Sequence, residues 1–303
     1  MLGAIAVGVL LATQSRINGT LGSRMQDGLA AALISFGSGL VLLVLCTAAM
    51  PAARRGLQQV AGALRGGGLR WWQLLGGVSG GYLVFSQSLS AATLGVALFT
   101  VAVVAGQVTS GMVVDRAGLG PAGPQRVTPP RVIGGVLAVI AVVIAVAAKL
   151  GSSDASWLIV VPAIAGIGVA WQQAVNGRVK QTAGSATSAA VINFATGSLA
   201  LALAWAVELA FRGLPSGLPS EPWLYVGGFL GIFVIGGSAA LVRYTGVLVL
   251  SMGMVAGQLL GALVLDLVVP APGAHVAVST VVGVLLTFVA VAVASLPDRA
   301  ARA

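Results

Sequence analysis

In 303 residues the sequence holds one cysteine, Cys46, one histidine, His275, and seven acidic residues against sixteen basic ones. An internal disulfide is excluded. A Cys/His metal cluster could draw on only one copy of each residue, and a catalytic triad with a histidine base could draw only on His275. Charge of both signs is scarce, at 8% of residues where soluble domains carry roughly 25%. There is no Gly-x-x-x-x-Gly-Lys-Ser/Thr run to cradle nucleotide phosphates, and no cluster of acids or nucleophiles at depth that a membrane enzyme would need. Nothing calls for a cofactor or a metal, and the expectation is that the protein is not an enzyme. Cys46 sits in an apolar run and reads as packing, and His275 reads as a solvated loop residue.

Apolar residues fill the space that charge leaves. They make up 58% of the chain, in runs that repeatedly reach the ~20 residues needed to cross a bilayer. Spans are expected at about 2 to 21, 29 to 50, 71 to 90, 94 to 114, 131 to 149, 157 to 177, 187 to 210, 223 to 242, 245 to 267 and 276 to 296. Continuous runs such as Val132 to Val146 lack the alternation of a barrel strand, so the spans are helices. The N-terminal run has no basic residue ahead of it and is read as a transmembrane helix rather than a signal peptide.

The chain repeats itself. Gln14-Ser-Arg-Ile-Asn18-Gly19 returns as Gln172-Gln-Ala-Val-Asn176-Gly177, and at the same offset Ala31-Ala-Leu-Ile-Ser-Phe36 returns as Ala189-Ala-Val-Ile-Asn-Phe194. A second match sets Val104-Ala-Gly-Gln107 against Val255-Ala-Gly-Gln258, with Asp115 answering Asp266, Trp72 answering Trp223 and Gly135-Val-Leu answering Gly283-Val-Leu. Duplication of one folding unit explains this. The expected fold is an all-α integral membrane protein of about ten transmembrane helices, built as two five-helix repeats, 1–150 and 151–303.

The basic residues set its orientation. Counting connections alternately, one side collects Arg54, Arg55, Arg65, Arg70, Arg116, Arg126, Arg131, Arg178, Lys180, Arg243, Arg299 and Arg302, and the other keeps Arg24, Lys149, Arg212 and Arg16. By the positive-inside rule the first side is cytoplasmic, which puts both termini in the cytoplasm. Five is odd, so the second repeat crosses upside down relative to the first. Inverted pairs of this kind are typical of secondary transporters, with the substrate site near the midplane. The net charge of +9 is spread through loops with no basic-aromatic binding module, so no nucleic-acid partner is expected.

Candidate site residues follow from the cost of leaving polar groups in hydrocarbon. Gln14 and Asn18 share one helical face, as do Gln172 and Asn176 on the repeat-related helix. Two roles fit them: lining a central cavity, or cross-linking helices by hydrogen bonds. Gln107 and Gln258 flank a ladder of small residues (Ala102, Gly106, Ser110; Gly253, Gly257, Gly261), which favours cross-linking. Asn193 (aligned with Ser35), Tyr82 and Gln87 are further cavity candidates, and Trp171 is either cavity wall or core. Asp115 and Asp266 fall at helix ends and read as paired or hydrated. Glu208 is the acid expected inside a span and the candidate for proton coupling. Arg16 is expected to snorkel to the outer surface, and Trp71, Trp72, Trp157 and Trp223 to sit in an interfacial belt.

Two five-helix repeats, each opening with a helix that ends in Gln-x-x-x-Asn-Gly and followed by Ala-Ala-Leu-Ile-Ser-Phe36 or Ala-Ala-Val-Ile-Asn-Phe194, resemble the YdcZ-like inner-membrane exporters of the drug/metabolite transporter superfamily. The resemblance implies alternating-access transport of a small molecule across the cell (inner) membrane. It also assigns Gln14, Asn18, Gln172 and Asn176 to the family's recurrent motif. Single-repeat members of that branch pair as dimers, so this chain looks like the fused form, and a further homodimer is compatible with it. The small cation-exporting relatives carry a Glu in the first helix; its lack here speaks against proton-coupled cation antiport. Exporter of a polar or amphiphilic metabolite or drug is the expected function; a non-transporting scaffold or accessory subunit is the alternative.

Overall fold

A computed structural model describes residues 2–121, 123–124, 127–147, 156–213, 217–269, 277–294 and 296. His275, Lys149, Arg126, Arg299 and Arg302 lie outside them, as do the side chains of Arg212 and Arg243. The described chain is helical throughout: α1 (Leu2–Met25), α2 (Gly28–Ala49), α3 (Pro51–Arg65), α4 (Gly76–Ser86), α5 (Ala92–Leu94), α6 (Val96–Arg116), α7 (Pro129–Ala147), α8 (Val160–Ala183), α9 (Ala186–Arg212), α10 (Gly227–Val268) and α11 (Val278–Ala294). Among the described residues, four stretches are long and apolar enough to cross a bilayer by themselves: Gly28–Ala49, Val96–Arg116, Trp157–Ala183 and Ala186–Phe211. Shorter apolar helices accompany them, and large apolar side chains such as Val41, Leu45, Leu203 and Leu285 are exposed. That surface requires lipid. The protein is a multi-pass membrane protein.

Several expectations need correction. The stretch Pro51–Arg65, read as a loop, is an amphipathic helix whose Ala53, Gly56 and Val60 are buried while Arg54 and Arg55 face outward. It docks by Gly56 against Ala183 and Ser188, and the Ser188 hydroxyl donates to Ala53 O at 2.7 Å. Cys46 is exposed rather than packed inside. The expected boundary between the eighth and ninth spans falls inside a single element, α10, which runs from Gly227 through Val268. Its contacts still run both ways along α1. Gly227, Gly231, Gly237 and Leu241 meet Asn18, Gln14, Val7 and Gly3 in descending order, after which Gly257, Gly261 and Asp266 meet Ile5, Val9 and Arg16 in ascending order. The chain therefore turns back on itself between Leu241 and Met254. In the first repeat the corresponding break is at Gly95, whose φ of 82° suits glycine.

The repeats interlock rather than lying side by side. Gly8 of α1 is crossed by the backbone of Met254 and Gly257, and Gly257 by that of Ile5; in the repeat-related pair, Gly166 of α8 is crossed by Val103 and Gly106 by Ala163. At all four sites a Cβ would collide with main chain, so glycine sets the interhelical distance. The small-residue ladder of α6 and α10 thus packs one repeat's fourth helix on the other repeat's first. A similar pair joins α7 to α11, where Gly134 meets Ala290 and Gly283 meets Ala141. Packing equates Gly134, not Gly135, with Gly283, one residue away from the sequence match. Caps follow the repeat as well: the Asp27 carboxylate accepts from Ala30 N at the start of α2, and the Ser185 hydroxyl from Ser188 N at the start of α9.

Arg16 does not snorkel. Its guanidinium donates to Asp266, and both side chains are almost fully enclosed. Asp266 also accepts the backbone N–H groups of Val96 (3.0 Å) and Ala97 (2.7 Å), so a carboxylate on α10 caps the N-terminus of α6. The Gly95 turn brings that N-terminus within reach, as a Cβ there would press on the carboxylate at 2.9 Å. Asp115 instead pairs with Arg131 at 3.0 Å. Trp71, Trp157 and Trp223 are exposed at helix starts.

Candidate functional site

A cavity of about 360 Å³ lies between the two repeats. Its middle is formed by α1, α2, α4, α8, α9 and α10, which contribute Leu11, Gln14, Phe36, Leu83, Gln172, Asn176, Asn193, Phe194 and Ile235. The rings of Phe36 and Phe194, repeat-related residues, stack with centroids 4.6 Å apart and planes at 22°. Each ring also fits over the glycine that stands in the other's repeat, Phe36 against Gly197 and Phe194 against Gly39.

On the second-repeat side the amides converge on one acceptor. Asn193 Oδ1 receives Gln172 Nε2 at 2.9 Å and Asn176 Nδ2 at 2.8 Å. Asn193 is 1% exposed, and its own Nδ2 has no partner. A buried unsatisfied N–H costs about 1–3 kcal/mol. In the first repeat the equivalent of Asn193 is Ser35, whose short hydroxyl reaches neither amide and is itself buried without a partner. Gln14 turns instead to Gly227 O at 3.0 Å, and Asn18 to Gln87. One substitution between repeats has broken the symmetry of the site.

That difference coincides with unequal ends. At the Asn18 end, Asn18 Nδ2 donates to Gln87 Oε1 at 2.6 Å and Gln87 Nε2 donates to Ser15 Oγ at 3.0 Å, all three residues fully buried. Gln87 opens a π-helical turn, Gln87–Ala91, whose widened backbone is pressed into α1 at Gly19 and Gly22. A single π turn inserted in a helix often marks a functional site. At the other end the repeat-related positions are Gly177 and Lys180, and both line the cavity. Ala186 and Ala189 line it beside them.

Of the sequence candidates, Gln14, Gln172, Asn176 and Asn193 therefore meet in one cavity, and the others do not line it. Asn18 lies one turn beyond Gln14, sealed under the π turn. Gln107 reaches Gln173 at 3.3 Å on a partly exposed face. Gln258 is buried where α10 crosses α1 beside Gly8. Trp171 precedes Gln172 on α8 and so points to a different face of that helix, outside the lining. Nor do Tyr82 and Glu208 line it. Lys180 and Gln173 join the lining without a signal in sequence; as a Lys near a helix end, Lys180 reads there as a topology charge. Gln87, expected to line the cavity, closes it instead. Among the described residues no Asp or Glu borders the cavity and no cluster of acids, His or Cys could hold a metal ion.

A model of the family described as "Putative inner membrane exporter, YdcZ" matches residues 1–144 and again 157–293. The chain belongs to this family. As a YdcZ-family protein it is a membrane protein of the exporter kind, and the two matched stretches coincide with its two repeats. A search of curated proteins finds no match. Among solved chains of similar shape, one described only as "Crystal structure of protein" superposes with a TM-score of 0.58 at 18% identity, covering 100% of this chain and 97% of that one. This likeness shows the fold alone.

Proposed function

We propose that this YdcZ-family protein is a secondary transporter that exports a small amphiphilic molecule by alternating access, captured here open toward the cytoplasm. The observation that carries the reading is the cavity: it sits between repeats that share their contacts, yet only one end is closed. Interchange of equivalent contacts between the repeats would seal the Lys180 end and open the Asn18 end. The two conformations need differ little in energy, since each end uses the same kinds of helix contact. In this reading the chain crosses ten times, the two passes of α10 counted separately, so both termini lie on the same side of the membrane, which the basic residues assign to the cytoplasm. The exposed Arg54 and Arg55 on α3, together with Arg178, gather at the end where Lys180 lines the cavity, which the positive-inside rule makes cytoplasmic.

Gln14, Gln172, Asn176 and Asn193 contact the substrate in this reading, with the Phe36 and Phe194 rings as its apolar wall. Reconstituted proteoliposomes loaded with a metabolite mixture test it. Export of at least one amphiphile, lost on Asn176→Ala with the protein still folded, is the expected result; a protein that moves none while holding a partner protein is a scaffold. Sidedness is tested separately. Cysteines at Arg55 and Gln26, in a Cys46→Ser background, should be respectively shielded from and labelled by an impermeant thiol reagent in intact cells.

A further inference from the structure

We propose that the cavity selects organic anions with an apolar body, the anionic head being held by the Lys180 ammonium and the Asn193 amide N–H. The proposal rests on reading the cavity as a transport site and names the substrate class for it. Three observations converge. Asn193 spends its carbonyl on Gln172 and Asn176, which leaves Nδ2 as a buried donor without an acceptor in the cavity wall. Lys180 lines the same cavity with no carboxylate within ion-pair distance among the described residues. Among those residues, too, no acid borders the cavity to attract a cation. Unspent donors and an unneutralised positive charge call for an acceptor of negative charge.

The internal repeat supplies a control. The position equivalent to Lys180 is Gly22, where the absence of a side chain lets the Ser88 backbone pack down and close the far end. A residue chosen only for closing would be small at both positions. Lys180 obstructs that packing and places a cation at the open end instead, which a topology charge facing solvent would not do. The rest of the wall is apolar, with the stacked Phe36 and Phe194 beside Leu11, Leu83 and Ile235, so the body of the ligand is hydrophobic.

The test uses one scaffold in three charge states. The full-length protein in detergent is melted with phenylacetate, phenylacetamide or phenethylamine, since a ligand of the folded state raises the apparent melting temperature. Phenylacetate should bind at least about tenfold more tightly than the amide, and the amine least. Lys180→Gln should bring phenylacetate down to the level of the amide, whereas Lys180→Arg should keep most of the preference. Asn193→Asp, which sets a carboxylate against the anion, should abolish it. Equal shifts for the three compounds, preference for the amine, no shift with any, or undiminished phenylacetate binding by Lys180→Gln would overturn the proposal. Lys180-dependent binding without flux of phenylacetate in liposomes upholds the anion site and refutes transport; flux of the amine alone does the reverse.

Discussion

Replacing Gln87 by Met tests whether the closed end is a gate. The side chain is 1% exposed, and Met nearly conserves its volume, so the packing of the π turn on Gly19 and Gly22 is retained while two hydrogen bonds disappear: the one from Asn18 at 2.6 Å and the one to Ser15 at 3.0 Å. Neutral hydrogen bonds contribute about 1 kcal/mol each, net. If both are made only while this end is shut, the variant loses ~2 kcal/mol from one conformation alone and shifts the ratio of the two by about thirtyfold. The stranded Asn18 amide adds to that. Sidedness of labelling reads the shift. A cysteine replacing Leu83, which lines the cavity, is exposed to an impermeant thiol reagent in sealed vesicles of each orientation, in a Cys46→Ser background. With Gln87 present, labelling should come from the cytoplasmic side alone. In the folded Gln87→Met variant the outer side should label, and labelling from the cytoplasmic side should slow. Unchanged sidedness in a folded variant would show that these bonds hold helices together without biasing the transport cycle.

The glycine crossings predict a graded response. Gly8→Ala and Gly166→Ala, where a Cβ meets the main chain of α10 and α6, should each destabilise by about 1–3 kcal/mol in detergent melts, whereas Gly37→Ala, with nothing within 4 Å, should be neutral or slightly stabilising. Asp266→Asn should be among the costliest single changes, ~3–5 kcal/mol, because it strands the enclosed Arg16 and weakens the cap on α6. Arg16→Gln combined with Asp266→Asn should cost less than the sum of the two, as a double-mutant cycle of melting temperatures would reveal. Since Glu208 does not line the cavity, transport once assigned should depend weakly on an imposed pH gradient. Accumulation that follows the gradient and is lost in Glu208→Gln would instead make that residue the coupling acid.

The repeat was legible because duplication preserves residues that packing cannot replace. Gly8 and Gly166, Gly106 and Gly257, and Phe36 and Phe194 each serve one job twice, and a linear comparison finds them. The motif amides were legible for a different reason: polar groups in apolar runs are costly and stand out. Less visible was which of them share a cavity. Gln14 and Asn18 look alike in sequence, yet one helical turn separates a cavity wall from a sealed end. The α3 helix escaped notice because its mixed composition resembles a charged loop until its buried face is seen against α8 and α9.

Sequence by itself determined that the chain lives in lipid, that it is helical, that it is two copies of one unit, and that the copies are inverted if the positive charge lies inside. These follow from composition, period and parity, which need no knowledge of distant contacts. Tertiary structure decided how the copies meet. Asp266 became a cap for α6, Arg16 its ion partner and Gln87 a closing bond only once residues 69 to 250 positions apart were brought together. It also decided that two nearly equivalent halves would make unequal ends. Ser35 in place of Asn193, and Gly22 in place of Lys180, are single differences in a linear alignment; their effect depends on which backbone lies opposite, and that is a property of the folded chain alone.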